Sequence, residues 1–317
     1  MKFKYNLLIL EKEDFSKPAI ALLQKKFNVR KLPKNSLLQN KYIQSSHIIF
    51  IRLKYNINKI FLDKAVNLKF LVSPTTGLNH LDLNELKKRK IKVISLNKEK
   101  KFLKKINSTP ELTWALALNL VRKINSAYDD VIKNNWNREK FKGIDLHDKY
   151  CGIIGYGRIG RVIRKYAKAF DMRVMIYDPY KKLNNTKESS SLSQIFKKSF
   201  LIFVTADSND KNNNLIDKKY FKLTSSSFFI NTSRGEIVNY IDMINFVNEK
   251  NLLGVGLDVF PNEQNRNYMK QLLKKIKKIK NFREKFIITP HLGGATKSSM
   301  QMTEYFLSKK LIDYVKN

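Results

Sequence analysis

At 317 residues the chain exceeds what one hydrophobic core normally supports, so two domains are expected. Its 43% hydrophobic and 28% charged residues have the balance of a folded globular protein and exclude a disordered chain. The formal net charge of +35 is spread along the whole length beside abundant lysine, asparagine and isoleucine, with no nucleic-acid motif, so it reads as compositional drift rather than a specific nucleic-acid footprint.

The first apolar stretch, 5–10, is too short for a signal-peptide core, and Glu11-Lys12-Glu13-Asp14 ends it. No run reaches the roughly 18 apolar residues of a membrane span, so a cytoplasmic protein with no membrane partner is expected. Strands over 5–10, 28–32, 47–53, 70–73 and 92–95 alternate with helical stretches that include 17–26 and 83–90. That rhythm predicts a parallel sheet flanked by helices. Ser108-Thr109-Pro110-Glu111 has the form of a capping box, with Ser108 as N-cap and Glu111 at the third helical position. It opens an apolar helix over 112–124, long enough to bridge one domain to the next.

A second alternating series begins near Tyr150: strand 151–155, helix 159–170, strand 173–178, then strands 200–205, 228–231, 254–259 and 286–289. The polar stretches 183–186 and 208–214 read as surface loops. Residues 270–280 form a basic amphipathic helix with apolar positions 272, 273, 276 and 279. Such a helix fits a membrane surface or a surface helix packing its stripe on the core; the second is expected. A final helix over 298–315 returns to the first domain. Cys151, the single cysteine, lies in an apolar run and reads as a buried, inert thiol of a reducing compartment.

The strand at 151–155 runs into Gly155-Tyr156-Gly157-Arg158-Ile159-Gly160. Alone this spacing is a weak signal, but here it follows a strand, opens a helix, and precedes Asp178 at the end of the next strand. Gly155 makes the tight turn, Gly157 lets backbone approach a pyrophosphate, and Gly160 lets helix and strand pack closely. The amides of Arg158 and Ile159 then point at phosphate from the helix N-terminus. Asp178, 23 residues after Gly155, is placed to accept the adenosine ribose hydroxyls, and its charge repels a 2′-phosphate, so the expected cofactor is NAD.

Arg234, Glu263 and His291 each follow a strand-like run, at 228–231, 254–259 and 286–289. Residues just past the carboxyl ends of parallel strands face a common crevice. A cation, a carboxylate and an imidazole meeting there are what hydride transfer to a 2-oxo acid requires. Histidine titrates near neutrality and serves both directions. A neighbouring carboxylate favours its charged form, and arginine's planar fork fixes a substrate carboxylate in two bonds. Taken alone, Glu263 also fits a solvated loop residue, and His291 after a proline also fits a structural role. His47, His80 and His147 read as structural or exposed.

These segments, with Ile51-Arg52, the stretch 73–83, Trp136, Asn231-Thr232-Ser233-Arg234-Gly235, Leu257-Asp258-Val259-Phe260 and Thr289-Pro290-His291-Leu292-Gly293-Gly294, resemble the D-isomer-specific 2-hydroxyacid dehydrogenases over about 47–305. That family includes D-3-phosphoglycerate dehydrogenase and formate dehydrogenase. The resemblance implies that Arg234 binds the substrate carboxylate and carbonyl, His291 exchanges the proton, and Glu263 pairs with the histidine. It places Thr232, Ser233 and Asp258 along the nicotinamide half of the cofactor, and adds Thr205, Gly293 and Gly294 to the cofactor contacts. It makes 73–77, with Thr76 and Gly77, the substrate-anion loop, and Arg52 a second cation nearby.

Two departures stand out. Ser73-Pro74-Thr75 replaces small residues and an extra glycine, and Pro74 has no N–H to offer; Thr205-Ala206-Asp207-Ser208 lacks a proline common in the family.

The resulting expectation is an α/β protein: a doubly wound Rossmann parallel sheet (107–289) inserted in a smaller flavodoxin-like substrate domain (1–106 and 290–317). Its expected activity is NAD-dependent hydride transfer between a D-2-hydroxy acid and its 2-oxo acid, phosphoglycerate-like or another small anion. A homodimer without metal or a specific nucleic-acid partner, and without an appended regulatory domain, is implied. The competing reading is an NAD-sensing, non-enzymatic binding module of the same fold.

Overall fold

The computed structural model describes all residues except 1–3, 182, 184–185, 210, 250, 264 and 317. The chain divides into two compact units, Met1–Ile106 with Gly294–Asn317, and Asn107–Gly293.

In the first unit, β1 (Asn6–Ile9), β2 (Asn28–Lys31), β3 (Ile48–Phe50), β4 (Phe70–Ser73) and β5 (Lys92–Ser95) form one parallel sheet. Its order, β2-β1-β3-β4-β5, is the flavodoxin-like winding. Leu7, Leu8 and Ile9 of β1 and Ile48, Ile49 and Phe50 of β3 are all buried, because helices cover both faces of a parallel sheet. Helix Lys17–Gln24 starts where the Ser16 hydroxyl caps the Ala19 N–H and a proline occupies the first turn. The last helix, Lys297–Lys316, packs on it and buries Leu307 and Leu311.

The second unit holds β6 (Tyr150–Ile154), β7 (Arg173–Tyr177), β8 (Leu201–Val204), β9 (Ser227–Asn231), β10 (Leu252–Leu257) and β11 (Phe286–Ile288). They are parallel in the order β11-β10-β9-β8-β6-β7, so the winding reverses between β6 and β8. The crevice outside the carboxyl ends at such a reversal is where doubly wound sheets bind ligands. Leu257 pairs with both Asn231 and Ile288, which aligns the exits of β9, β10 and β11.

One local expectation is corrected. The bridging helix runs Ser108–Arg122 with Asn107 as N-cap and no side-chain cap bond, so Ser108 lies inside the helix and the capping box does not form. Lys123 then adopts the left-handed conformation that ends the helix, and a separate helix, Ile124–Ile132, follows. The basic segment forms helix Arg266–Lys277, and Leu272, Ile276 and the following Ile279 join the core of this unit while its lysines stay exposed. Its apolar stripe is therefore spent on the core. Cys151 is fully buried, and burial pushes its thiol far above the ordinary range, as an inert cysteine requires. Within the expected loops 183–186 and 208–214, Asn184, Asn185 and Asp210 lie outside the described residues. No helix is long and apolar enough to cross a membrane among the described residues.

Candidate active site

The exit of β6 is built by glycine geometry. Gly155 has φ +94°, which side chains rarely adopt, and a Cβ there would fall 2.5 Å from the backbone of Ala206 after β8. At Gly160 a Cβ would lie 2.2 Å from the Gly155 carbonyl oxygen, so the first turn of helix Arg158–Ala169 sits directly on the loop. The Thr205 hydroxyl donates to that same carbonyl at 2.6 Å, which makes Thr205 a brace of the loop. Gly157 is the opposite case: a Cβ would meet nothing within 4 Å.

Gly157 is also the N-cap and offers no side chain to the helix N-terminus. The first-turn N–H groups of a helix, here those of Arg158 and Ile159, point out along its axis. An open cradle before a helix N-terminus fits the pyrophosphate of a dinucleotide. Burial pulls the Arg158 guanidinium below its ordinary range, with the Asp207 charge opposing.

Asp178 stands at the mouth of this loop. Its Oδ2 accepts the Tyr156 N–H at 2.8 Å and its Oδ1 accepts the Tyr180 N–H at 3.0 Å. A carboxylate has about four acceptor positions, so room remains for ribose hydroxyls. Lys181 lies 3.8 Å from Oδ2 and donates to the Tyr156 carbonyl at 2.7 Å.

The exits of β9, β10 and β11 lie side by side. After β11, His291 Nδ1 lies 2.7 Å from Glu263 Oε2, and both side chains are partly exposed. A carboxylate only accepts, so Nδ1 carries the proton and Nε2 is left to exchange one. The other oxygen, Oε1, accepts the Phe260 N–H at 2.9 Å, which fixes the glutamate to its own turn.

His291 itself is held from below. Its φ is +54°, an uncommon state for a side-chain-bearing residue. Its N–H donates to the Asp258 carbonyl at 2.9 Å. The Asp258 carboxylate accepts the Thr289 hydroxyl at 2.6 Å, the Leu292 N–H at 2.6 Å and the Gly293 N–H at 2.8 Å. Burial raises the Asp258 carboxyl above its ordinary range, and these three donors, with the His291 charge, oppose the shift. Asp258 therefore works as a clamp on the histidine loop.

Arg234 follows β9, half-buried, with Nη1 donating to the Ser233 carbonyl at 2.6 Å. Asn231, fully buried, accepts the Ser233 N–H at 3.0 Å and donates to the Arg234 carbonyl at 3.0 Å. Gly235 presses on the next exit: a Cβ would fall 2.0 Å from the Phe260 carbonyl carbon. The arginine loop and the glutamate turn thus share one backbone contact. Ser233 donates to the Ala206 carbonyl, and Thr232 bonds Thr113 at 2.6 Å. The Thr109 hydroxyl donates to the Gly293 carbonyl at 2.9 Å, tying helix Ser108–Arg122 to the histidine loop. Gly294 is exposed, with open space where a Cβ would stand.

In the first unit, Arg52 follows β3. Its Nε lies 2.8 Å from Oε1 of Glu304, a fully buried carboxylate whose Oε2 accepts the Ser16 N–H at 2.7 Å. Arg52 Nη1 also donates to the Glu13 carbonyl at 2.9 Å. Its charge is therefore matched within this unit. Burial raises the Glu304 carboxyl, opposed by the Ser16 N–H and Arg52. Thr76 is exposed and Gly77 half-exposed on a loop braced by Ser73, Thr75 and buried His80, with Thr75 Oγ1 donating to the Gly77 carbonyl at 2.9 Å.

The NAD-binding domain description of the D-isomer specific 2-hydroxyacid dehydrogenases matches residues 114–293, more than half of the chain. The chain belongs to that family. It is an NAD-dependent oxidoreductase, and its cofactor is NAD. A Staphylococcus saprophyticus protein bearing the name 2-hydroxyacid dehydrogenase is 29% identical over 284 residues, covering 87% of this chain and 84% of its own. A Staphylococcus aureus relative with the same family name is 27% identical over 309 residues, covering 93% and 92%. Among solved structures, D-lactate dehydrogenase from Aquifex aeolicus, complexed with NAD and lactic acid, shares the fold with a TM-score of 0.81 at 24% identity, covering 98% of this dehydrogenase and 96% of its own chain. The D-lactate dehydrogenase of Escherichia coli does so with a TM-score of 0.79 at 19% identity, covering 98% and 97%.

Sequence reasoning missed Asn231, Thr109 and Thr113 as supports of the site. Asn231 carried a signal, as a buried polar residue at a strand end; the two threonines did not, because their partners lie far away in sequence.

Proposed function

We propose that this dehydrogenase interconverts a D-2-hydroxy acid and its 2-oxo acid, with His291, Glu263 and Arg234 as the working groups. The observation that carries the reading is the His291–Glu263 contact at 2.7 Å, one strand exit away from the Arg234 loop. Bound NAD supplies or accepts the hydride. Arg234 holds the substrate carboxylate with its planar fork, which turns the carbonyl toward a fixed direction. His291 Nε2 gives a proton to the carbonyl oxygen in reduction and takes it back in oxidation. Glu263 keeps the ring oriented through Nδ1 and offsets its charge when loaded.

Gly157, Arg158 and Ile159 would hold the pyrophosphate, with Gly155 and Gly160 shaping the turn. Asp178 would take the ribose hydroxyls, and Thr232, Ser233, Asp258 and Gly293 would border the nicotinamide. In the first unit, Thr76 and Gly77 are the proposed anion contacts. Arg52, matched by Glu304, brings no surplus charge, which supports a substrate with one carboxylate over a phosphorylated one. A homodimer through helix Ile124–Ile132 is supported by its unpartnered apolar face, where Ile124, Tyr128, Val131 and Ile132 are exposed beside Trp136 at 88% exposure. The lone buried thiol fits the cytoplasm.

The test is NADH oxidation with a panel of 2-oxo acids, followed by NAD reduction with D and L forms of the matching hydroxy acid. Turnover with a small monocarboxylate and with the D form alone is expected. Tight NADH binding without turnover on any member would contradict the proposal.

A further inference from the structure

We propose that Tyr240 is a positioning residue for the acid–base pair: its phenol ties down the exit of β10 and so sets where Glu263 meets His291. The proposal rests on Glu263 and His291 acting as described under the proposed function.

Tyr240 opens helix Tyr240–Asn248 and is only 2% exposed. Its hydroxyl donates to the carbonyl of Val259. Val259 lies beyond Leu257, the last paired residue of β10, so that carbonyl is outside the sheet ladder. The next N–H along the chain, that of Phe260, donates to Glu263 Oε1 at 2.9 Å, and Glu263 Oε2 meets His291 at 2.7 Å. A line of bonds therefore runs from the buried phenol to the imidazole through two adjacent residues and one carboxylate.

The arginine loop adjoins this exit: the Asn231 side chain clasps Ser233 and Arg234. The Phe260 ring packs against Tyr240 at 5.3 Å, and Gly235 leaves no room between the arginine loop and the Phe260–Pro261 peptide. Tyr240 thus stands at the joint of the two exits that carry Arg234 and Glu263. A core-filling ring needs no hydroxyl; here the hydroxyl is spent on the backbone that aims the glutamate. The titratable groups whose charges act on it are Glu263, Glu236 and Tyr268, and burial first, then Glu263, holds the phenol well above its ordinary range, so it remains a donor.

The experiment compares Tyr240→Phe with Glu263→Gln in the full chain, using whichever 2-oxo acid the panel shows to be turned over. NADH binding by fluorescence and thermal melting establish folding independently of activity. For Tyr240→Phe we expect kcat to fall about tenfold, the scale of a small misplacement of a catalytic group, with KM and NADH affinity within about twofold. A Tyr240→Phe enzyme with wild-type kcat, beside an impaired Glu263→Gln enzyme, overturns this proposal alone. An unimpaired Glu263→Gln enzyme overturns the acid–base reading and this proposal with it. If Tyr240→Phe melts early, the same split is read well below its midpoint, with NADH titration giving the folded fraction: kcat per folded enzyme down with NADH affinity kept supports the joint, and unchanged kcat contradicts it.

Discussion

Glu263 and His291 meet across two neighbouring strand exits, with Oε2 and Nδ1 2.7 Å apart. An amide at 263 keeps its oxygen toward Nδ1 only by turning its NH2 against the Phe260 N–H, and it brings no charge to offset a loaded ring. Glu263→Gln should therefore lower kcat for 2-oxo acid reduction by about tenfold or more, while the NADH dissociation constant stays within about twofold. Steady-state kinetics with fluorescence titration checks both numbers.

Asp258 holds the histidine loop rather than the substrate. Its carboxylate receives the Leu292 N–H at 2.6 Å and the Gly293 N–H at 2.8 Å, and its backbone carbonyl takes the His291 N–H at 2.9 Å. Asparagine would turn one acceptor oxygen into a donor facing another donor, leaving a buried group unmet. Asp258→Asn should cost about 1–3 kcal/mol of stability and reduce kcat by about 10²-fold, since the imidazole no longer has a fixed place. Chemical denaturation and turnover, measured on the same preparation, test the pair of effects. A variant with full activity would remove Asp258 from this role.

Two glycines of the cofactor loop predict different failures. A Cβ at Gly160 would lie 2.2 Å from the Gly155 carbonyl oxygen, whereas one at Gly157 would meet nothing within 4 Å. Gly160→Ala should lower the thermal midpoint and weaken NADH binding together. Gly157→Ala should leave the midpoint in place yet weaken NADH binding by about tenfold or more, because the methyl fills space where a phosphate approaches. Melting curves with and without NADH separate the two. Equal NADH affinity in Gly157→Ala and wild type would contradict the pyrophosphate assignment.

A pH prediction follows from Glu188. Burial opposes its ionisation, but bonds of 2.6 Å and 2.9 Å from Arg164, with Lys168 at 3.4 Å, outweigh it and hold the carboxyl below its ordinary range. A depressed carboxyl contributes stability above its unfolded value, about 4.3, and loses it as pH falls through the folded value. Arg164→Met should thus cost about 1 kcal/mol near neutrality, and the gap to wild type should close as pH drops from about 5 toward 3. Urea unfolding at several pH values measures that gap. A gap that widens on acidification would reverse the assignment.

Much of this site was legible from strand ends alone. Arg234, Glu263 and His291 each follow an apolar run, and parallel strands deliver their exits to one side, so convergence could be anticipated before any contact was seen. The glycine loop was equally readable, because Gly155 and Gly160 answer to backbone geometry that only their spacing encodes.

What stayed hidden depends on distant partners. Arg52 reads as a spare cation until Glu304, 252 residues away, is found beneath it. Tyr240 reads as an ordinary aromatic opening a helix until its hydroxyl is seen on Val259. Thr205 reads as a cofactor contact, yet its hydroxyl braces the Gly155 carbonyl at 2.6 Å. Helix starts were also misjudged: Asn107, not Ser108, precedes the bridging helix, and propensity differs too little between these residues to choose. Helices as short as Ser36–Gln44 and Lys59–Lys64 span too few turns for a 3.6-residue period to show.

The most direct measurement of the central claim is single-turnover 2-oxo acid reduction by His291→Asn beside wild type, with NADH bound to both. The account predicts that NADH affinity is unchanged while the rate of NADH oxidation falls by about 10²-fold or more, the scale of a lost proton donor. An undiminished rate in the variant would contradict it, because no proton would then need to pass through that ring.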